Sequence, residues 1–96
     1  MKMKQLLDRF HYLNELGLEK DSMYEVIHQY FEHAVEELGE VARCLRGKND
    51  EPIQNEAIDV ALTVLGLAEL TADSREELFC VMERKLDKWQ RRLEKK

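Results

Sequence analysis

Two short acidic segments carry the residue types best suited to chemistry. The first, EELGE, spans residues 36–40, and the second, EAID, spans residues 56–59. Helical residues three positions apart lie on one side of the helix. Glu37 and Glu40 therefore form one carboxylate pair, and Glu56 and Asp59 form another.

The first acidic pair needs a helix to present it, and the punctuation of the chain predicts one. A first helix covers about residues 2–15, with Gly17 as its stop. Ser22 followed by Glu25 is a capping-box pattern that opens a second helix. Gly47 ends this second helix, so the segment EELGE lies well inside it.

The second acidic pair lies on a third helix, which Pro52 opens because its missing N–H is not needed in a first turn. This helix runs to about Leu70. Ser74 with Glu77 starts a fourth helix that continues almost to the end of the chain. Period-two alternation is absent, so the fold class is all-α.

Apolar residues recur at steps of three and four on these helices. The stripes are Leu6, Leu7, Phe10 and Leu13; Ile27, Phe31, Ala34, Leu38, Ala42 and Leu45; and Leu78, Phe79, Val81, Met82, Leu86, Trp89 and Leu93. The third helix is apolar around most of its circumference. We expect it to be buried on most sides, with its acids facing inward or into a cleft, and we expect close helix contacts at Gly39 and Gly66.

A short turn, GKNDEP, joins the second and third helices, so the two helices form an antiparallel hairpin. Facing residues in such a hairpin have a nearly constant sum of residue numbers. Glu37 with Asp59 and Glu40 with Glu56 give the same sum. The two carboxylate pairs are therefore expected to meet face to face.

Four carboxylates beside an apolar core repel one another, and an uncompensated buried charge is unfavourable. Proton sharing relieves part of the repulsion, whereas Mg²⁺, or alternatively Mn²⁺, relieves more of it because both ions prefer oxygen ligands. The acids of the second helix are also compatible with a solvated face, and those of the third with a helix N-terminus. The mirrored spacing favours the metal site.

Length and composition set the remaining limits. The chain has 96 residues, which suits one domain over residues 1–96, and 36% charged with 44% hydrophobic residues suits a folded helical protein. No segment has the pattern of a signal peptide or membrane span, so we expect a cytoplasmic protein. Cys44 and Cys80 have no metal-ligand spacing and are expected to be buried free thiols.

The motifs closely resemble EExxE…ExxD of the MazG-like all-α nucleotide pyrophosphohydrolase superfamily. EELGE and EAID are separated by 15 residues, and the likeness extends from FHYLNELGL to KLDKWQRRL. The resemblance implies a four-helix, bundle-like MazG fold of antiparallel helices. It also implies Mg²⁺-dependent cleavage of a nucleoside triphosphate to the monophosphate and pyrophosphate. Nucleotide-pool housecleaning is the expected role.

The resemblance also assigns roles to individual acids. It makes Glu37, Glu40, Glu56 and Asp59 the metal ligands, the same four residues that the mirrored spacing selects. Glu36 matches the first glutamate of the motif and is expected in a second shell or as a water-orienting base. Glu36 and Glu40 are accordingly the candidate catalytic residues.

Candidate substrate-binding residues come from three other helical positions. Basic residues after the third helix help to bind phosphates in the family, which points to Lys85 and Lys88, although a solvated last turn also accounts for them. Phe10 is a candidate for packing on the base, with a core position as the favoured alternative. His33 precedes Glu37 by one turn and is a candidate phosphate contact, with a surface histidine as the alternative.

Charge and hydrophobicity bear on the partners. The net charge is −5, but residues 83–96 carry +4 and the rest carries −9, so nucleic-acid binding is disfavoured. The apolar third helix predicts a homodimer or homotetramer, because one 96-residue chain covers it poorly. The alternative functions are a non-catalytic helical interaction module with a basic C-terminal helix, and a phosphoribosyl-ATP pyrophosphohydrolase.

Overall fold

Four helices make up the part of the chain that the structure describes. The computed structural model describes residues 2–48 and 50–95, so Asn49 of the predicted turn and the two terminal residues lie outside the described residues. The helices are α1 (Met3–Lys20), α2 (Met23–Leu45), α3 (Ile53–Thr71) and α4 (Arg75–Glu94). No strand occurs in the described ranges, which confirms the all-α prediction.

Two helices begin where the serine caps were predicted. The Ser22 hydroxyl accepts a hydrogen bond from the Glu25 N–H at 3.2 Å, and the Ser74 hydroxyl accepts one from the Glu77 N–H at 3.0 Å. Each bond satisfies an N–H that has no partner within the helix. The caps fix the first turns of α2 and α4.

Gly47 ends α2 in the predicted way. Its φ of 71° lies in the left-handed region that glycine adopts without strain. The Gly47 N–H donates to the Cys44 carbonyl at 3.1 Å, and the Lys48 N–H donates to the Arg43 carbonyl at 2.9 Å. These two bonds form a Schellman motif, which turns the chain towards α3.

The predicted end of α1 is wrong, because the helix continues through Gly17 to Lys20. Gly17 lies at a helix contact: a Cβ built on it would lie 3.8 Å from a Val26 methyl group. The helix instead ends at Asp21, whose N–H donates to the Gly17 carbonyl at 2.9 Å. Gly17 is therefore an interior residue of α1 that lies next to α2, at a position where a Cβ would make an ordinary van der Waals contact.

The hydrophobic core lies between α1, α3 and the start of α4. Leu7, Phe10 and Leu78 form its buried cluster, and residues packed against it include Leu65 and Met82. Leu13 is more than half exposed, contrary to its predicted place in the stripe of α1. Asn14 takes that inward position instead, which rotates the buried face of α1 away from the predicted one.

Helices α2 and α3 pair as the predicted antiparallel hairpin. The Tyr30 ring lies against Gly66, where a built Cβ would come within 2.9 Å of the phenol oxygen. This contact has the same sum of residue numbers as the two predicted acid pairs. It is a direct geometric sign of the expected register, and it confirms the close contact expected at Gly66. At Gly39 that expectation is wrong, because a built Cβ meets nothing within 4 Å.

The apolar stripe of α2 is largely open to solvent. Its members Phe31, Leu38 and Leu45 are all more than half exposed. The expected burial of the two thiols is wrong, because Cys44 is only partly buried and Cys80 is exposed. The predicted burial of α3 on most sides is also wrong for the single chain, because Ile58 and Val64 remain exposed. The residues that α3 does bury are Glu56, Thr63 and Gly66, all on the side towards α2.

The second half of α4 extends beyond the core. All residues from 83 to 95 are exposed, and they include Leu86, Trp89 and Leu93 from the predicted apolar stripe. The radius of gyration is 15.6 Å, against about 12.5 Å for a compact chain of this length. The helices therefore form an open arrangement with large apolar surfaces uncovered.

Candidate metal centre

Three carboxylates converge where α2 and α3 pack together. Glu37 from α2 and Glu56 and Asp59 from α3 can each place one oxygen so that all three atoms lie within 4.8 Å of one another. Glu56 is 8% exposed, the Glu37 side chain is 17% exposed, and Asp59 is open to solvent. The cluster thus has a buried inner end and an accessible outer end.

Burial and like charges act together on Glu56. Burial is the largest influence raising the pKa of this carboxyl above its ordinary value of 4.5, and the neighbouring charges of Asp59, Glu40 and Glu37 raise the pKa further. Both influences oppose ionisation of the carboxyl. A cation at this position would reverse the second influence and offset the first.

Glu40 lies beside the cluster but not within the converging group. Its carboxylate forms an ion pair with the Arg43 guanidinium one turn later on α2. Glu40 nevertheless contributes to the raised pKa of Glu56, so its charge is close. The structure therefore brings together three of the four predicted ligands and leaves the fourth near them, paired with arginine.

Thr63 packs one turn beyond Asp59 on the same face of α3. It is buried, and its hydroxyl donates to the Asp59 carbonyl at 2.9 Å. This local bond occupies the hydroxyl hydrogen, which satisfies the buried polar group within the helix. Thr63 thus fills the space beside the carboxylates without adding a charge.

His33 touches the outer side of the cluster. Its Nε2 lies 3.4 Å from a Glu37 carboxylate oxygen, and the imidazole is exposed. The contact spans one turn of α2. The contact places a predicted phosphate-binding residue next to a predicted metal ligand.

The acidic cluster and its two helices fall inside a match to a known family. Residues 25–96 match the MazG nucleotide pyrophosphohydrolase domain. The chain belongs to this family. The match covers α2 from Glu25 onwards and all of α3 and α4, so the segments EELGE and EAID both lie within it. No curated protein and no solved structure matches the chain.

The donor set of the MazG domain fits a hard divalent cation. All converging atoms are carboxylate oxygens, which suit Mg²⁺ or Mn²⁺ better than the nitrogen and sulfur ligands that zinc commonly takes. The side chains come from two helices held in one hairpin, so the ligands are positioned by regular structure. Glu37, Glu56 and Asp59 are the residues that would hold the ion.

The remaining predicted site residues lie outside the converging group. Glu36 is exposed on α2 and is not part of the converging group. Phe10 is buried with Leu7 and Leu78, so the structure places it in the core, which was the favoured alternative. Lys85 and Lys88 are exposed on the part of α4 that extends beyond the core.

A buried polar network near the cluster was not predicted. Asn14 is 3% exposed, and its amide bonds to Tyr30 of α2 and to Gly66 and Glu69 of α3. Glu69 also accepts a hydrogen bond from His11 at 3.1 Å, which is the largest influence raising the pKa of His11. The sequence signal that could have indicated this network is the polar Asn14, which follows Leu7 by two helical turns on the inward face of α1.

Proposed function

We propose that this MazG domain is a divalent-metal-dependent nucleoside triphosphate pyrophosphohydrolase. Its products are the nucleoside monophosphate and pyrophosphate, and its role is the removal of unwanted nucleotides from the pool. Mg²⁺ is the proposed ion, with Mn²⁺ as a substitute. The observation that carries the proposal is the convergence of Glu37, Glu56 and Asp59 within 4.8 Å in a chain of this family.

The proposed ligand set adds Glu40 to the three converging acids. Its carboxylate pairs with Arg43, so joining the site requires a side-chain rotation away from that arginine. Ion pairs between partly exposed side chains are weak, at about 0–1 kcal/mol. The rotation is therefore inexpensive compared with the interaction of a carboxylate with a divalent cation.

The proposed reaction requires no protein nucleophile. A bound divalent cation would neutralise charge on the polyphosphate and would activate water for in-line attack. In the proposed mechanism the two helices hold their carboxylates in place, and Glu36, which precedes Glu37 in sequence and lies outside the converging group, orients the attacking water. His33 lies at the outer rim, where it can donate to a phosphate oxygen.

The proposed enzyme is a homodimer or a homotetramer. The chain exposes 7678 Å² of surface, about 1,900 Å² more than the roughly 5,800 Å² expected for a compact protein of this mass. Pairing two such surfaces would bury an area in the range of obligate homodimers, about 2,000–5,000 Å² in total. The exposed stripe of α2 and the outer half of α4 supply the apolar residues for this contact.

Exposed basic residues on α4 support a contribution to phosphate binding. Lys85 and Lys88 project from a helix that packs only through its first turns. In the proposed oligomer, this exposed part of α4 would lie against the surface of another copy of the chain. We propose that Lys85 and Lys88 reach the substrate phosphates in that assembly.

A pyrophosphate-release screen tests the proposed reaction. Standard and modified nucleoside triphosphates and phosphoribosyl-ATP are supplied with Mg²⁺, with Mn²⁺ or with EDTA. We expect turnover of at least one substrate with either metal and none with EDTA. Asp59→Ala is expected to abolish release and to leave the oligomer folded, because the exposed Asp59 contributes little to packing.

The matched control is Glu32→Gln, which removes an exposed carboxylate from α2 away from the converging group. It is expected to retain full activity. Full activity in Asp59→Ala would refute the metal assignment. Nucleic-acid binding that weakens with salt, together with no turnover of any substrate, would instead favour the non-catalytic module.

A further inference from the structure

The Asn14 amide joins α1 to α2 and α3, the two helices that carry the converging acids. Its Nδ2 donates to the Gly66 carbonyl at 3.1 Å and to a Glu69 carboxylate oxygen at 2.6 Å. Its Oδ1 accepts a hydrogen bond from the Tyr30 hydroxyl. One side chain thereby contacts α2 and α3 at the same level.

The donors and acceptors fix the orientation of this amide. Reversing the amide would place its oxygen against the Gly66 carbonyl and the Glu69 carboxylate, both of which only accept. Burial, followed by the charge of Glu69, raises the pKa of Tyr30, so the phenol stays protonated and donates. The network is therefore satisfied in one arrangement only.

The network lies at a fixed spacing from the carboxylates. Tyr30 precedes Glu37 by seven residues on α2, and Gly66 follows Asp59 by seven residues on α3. Seven residues make about two helical turns, or roughly 10 Å along each axis. A contact that fixes Tyr30 opposite Gly66 therefore also fixes Glu37 opposite Asp59.

The contact of Tyr30 with Gly66 is needed because α2 could otherwise pack on α3 through its apolar stripe. Phe31 and Leu38, next to Tyr30 and Glu37 in sequence, belong to the exposed apolar stripe. A rotation of α2 by about 100°, the angle between successive residues, would turn this stripe towards α3. Hydrophobic burial alone favours that rotation, which would separate the acids.

We propose that Asn14 is a positioning residue that selects the polar face of α2 for contact with α3 and so holds Glu37 opposite the two α3 acids. The part that concerns metal affinity rests on the proposed function. A single buried polar group that fixes the register of packed helices has precedents in coiled coils. In this chain the specified feature is the position of a ligand set.

Metal binding by the full chain tests the proposal with Mn²⁺ as the probe. Titrations followed by electron paramagnetic resonance compare the parent protein with Asn14→Leu, which keeps the side-chain size and removes the amide. We expect the Mn²⁺ affinity to fall about 10- to 100-fold, the range typical of residues that orient metal ligands. Tyr30→Phe, which removes one bond, is expected to give a smaller loss, and the double variant to be no worse than Asn14→Leu.

A second readout needs no metal. Cys44 lies seven residues after Glu37, on the face of α2 that packs against α3. Its thiol is 3.3 Å from the Glu51 carbonyl oxygen. In a Cys80→Ser background, rotation of α2 would expose Cys44, so alkylation should be faster in Asn14→Leu. The matched control is Leu78→Val, which trims the core between α1 and α4 and is expected to change neither readout.

The outcomes separate the two proposals. Unchanged Mn²⁺ affinity and unchanged Cys44 alkylation in Asn14→Leu would overturn the positioning role, as would equal changes in Leu78→Val. If the parent protein binds no Mn²⁺, the proposed function fails, and the alkylation rates alone decide the orientation of α2. If Asn14→Leu does not fold, Tyr30→Phe provides the comparison, and unchanged values there overturn the proposal.

Discussion

Two glycines in facing helices are expected to respond in opposite ways to the same substitution. Glycine lowers helix stability by about 1 kcal/mol relative to alanine in a helix interior. A Cβ at Gly39 of α2 meets nothing within 4 Å, so Gly39→Ala should gain about this amount. A Cβ at Gly66 of α3 meets the Tyr30 ring at 2.9–3.1 Å, closer than normal contact.

The magnitude for Gly66→Ala follows from two opposing effects. Overpacking a close contact costs about 1–3 kcal/mol, and the gain in helix propensity offsets about 1 kcal/mol of it. The Tyr30 ring cannot move aside freely because its hydroxyl is bonded to Asn14. We therefore expect Gly66→Ala to be less stable than the parent by up to about 2 kcal/mol, and less stable than Gly39→Ala by about 1–3 kcal/mol.

Thermal unfolding at one fixed protein concentration measures this difference, since any self-association would make the Tm depend on concentration. Each kcal/mol corresponds to about 4–8 °C in a domain of this size. In a Tyr30→Ala background the contact is gone, and Gly66→Ala should become stabilising. An equal rise of Tm in Gly39→Ala and Gly66→Ala would refute the register of the hairpin. A lower Tm in Gly39→Ala would show that a second surface covers Gly39.

Two further predictions concern the charge of the site and the exposed stripe. Because the folded chain raises the pKa of Glu56, it binds this proton more tightly than the unfolded chain does. Glu56 therefore favours the fold below its ordinary pKa of 4.5, and this contribution is lost as pH rises through the raised pKa. Glu56→Gln should accordingly raise the Tm in EDTA at pH 7 and abolish the rise in Tm that Mn²⁺ is expected to give the parent protein. The Mn²⁺ affinity of the parent protein should fall as the pH is lowered towards 4.5. An affinity that does not change with pH would contradict this role of Glu56. Phe31→Asp, on the exposed stripe of α2, should reduce the particle mass measured by light scattering, and an unchanged mass would argue against an interface there.

Local signals predicted most of the fold. The hydroxyls of Ser22 and Ser74 and the left-handed glycine at position 47 act within one turn of the chain, so sequence shows them directly. The hairpin follows from the short turn after Gly47, and its register follows from counting. The acid pairs could therefore be matched before any tertiary contact was known, and three of the four carboxylates do converge.

The choice of packing face could not be predicted in this way. Periodicity shows that the stripe through Phe31 and Leu38 is suited to burial, but not whether the covering surface is in the same chain. Within the chain, the specific contacts of Tyr30 and Asn14 hold a different face of α2 against α3. Gly17 shows the same limit, because a glycine at a helix contact has the same sequence signal as a glycine that ends a helix.

The two faces of α2 separate formation of the proposed metal site from the proposed contact between copies of the chain. Glu37, Glu56 and Asp59 all come from one hairpin. Their convergence requires the face of α2 that contains Tyr30 to pack against α3, and it does not require the exposed apolar stripe that contains Phe31. Burying that stripe against a second copy would add stability and hold α2 in place without supplying any of these three carboxylates. A folded chain with a charged substitution in the apolar stripe of α2 should therefore still bind metal. Turnover would be lost in such a chain if the reaction requires another copy to hold the outer half of α4 beside the substrate phosphates.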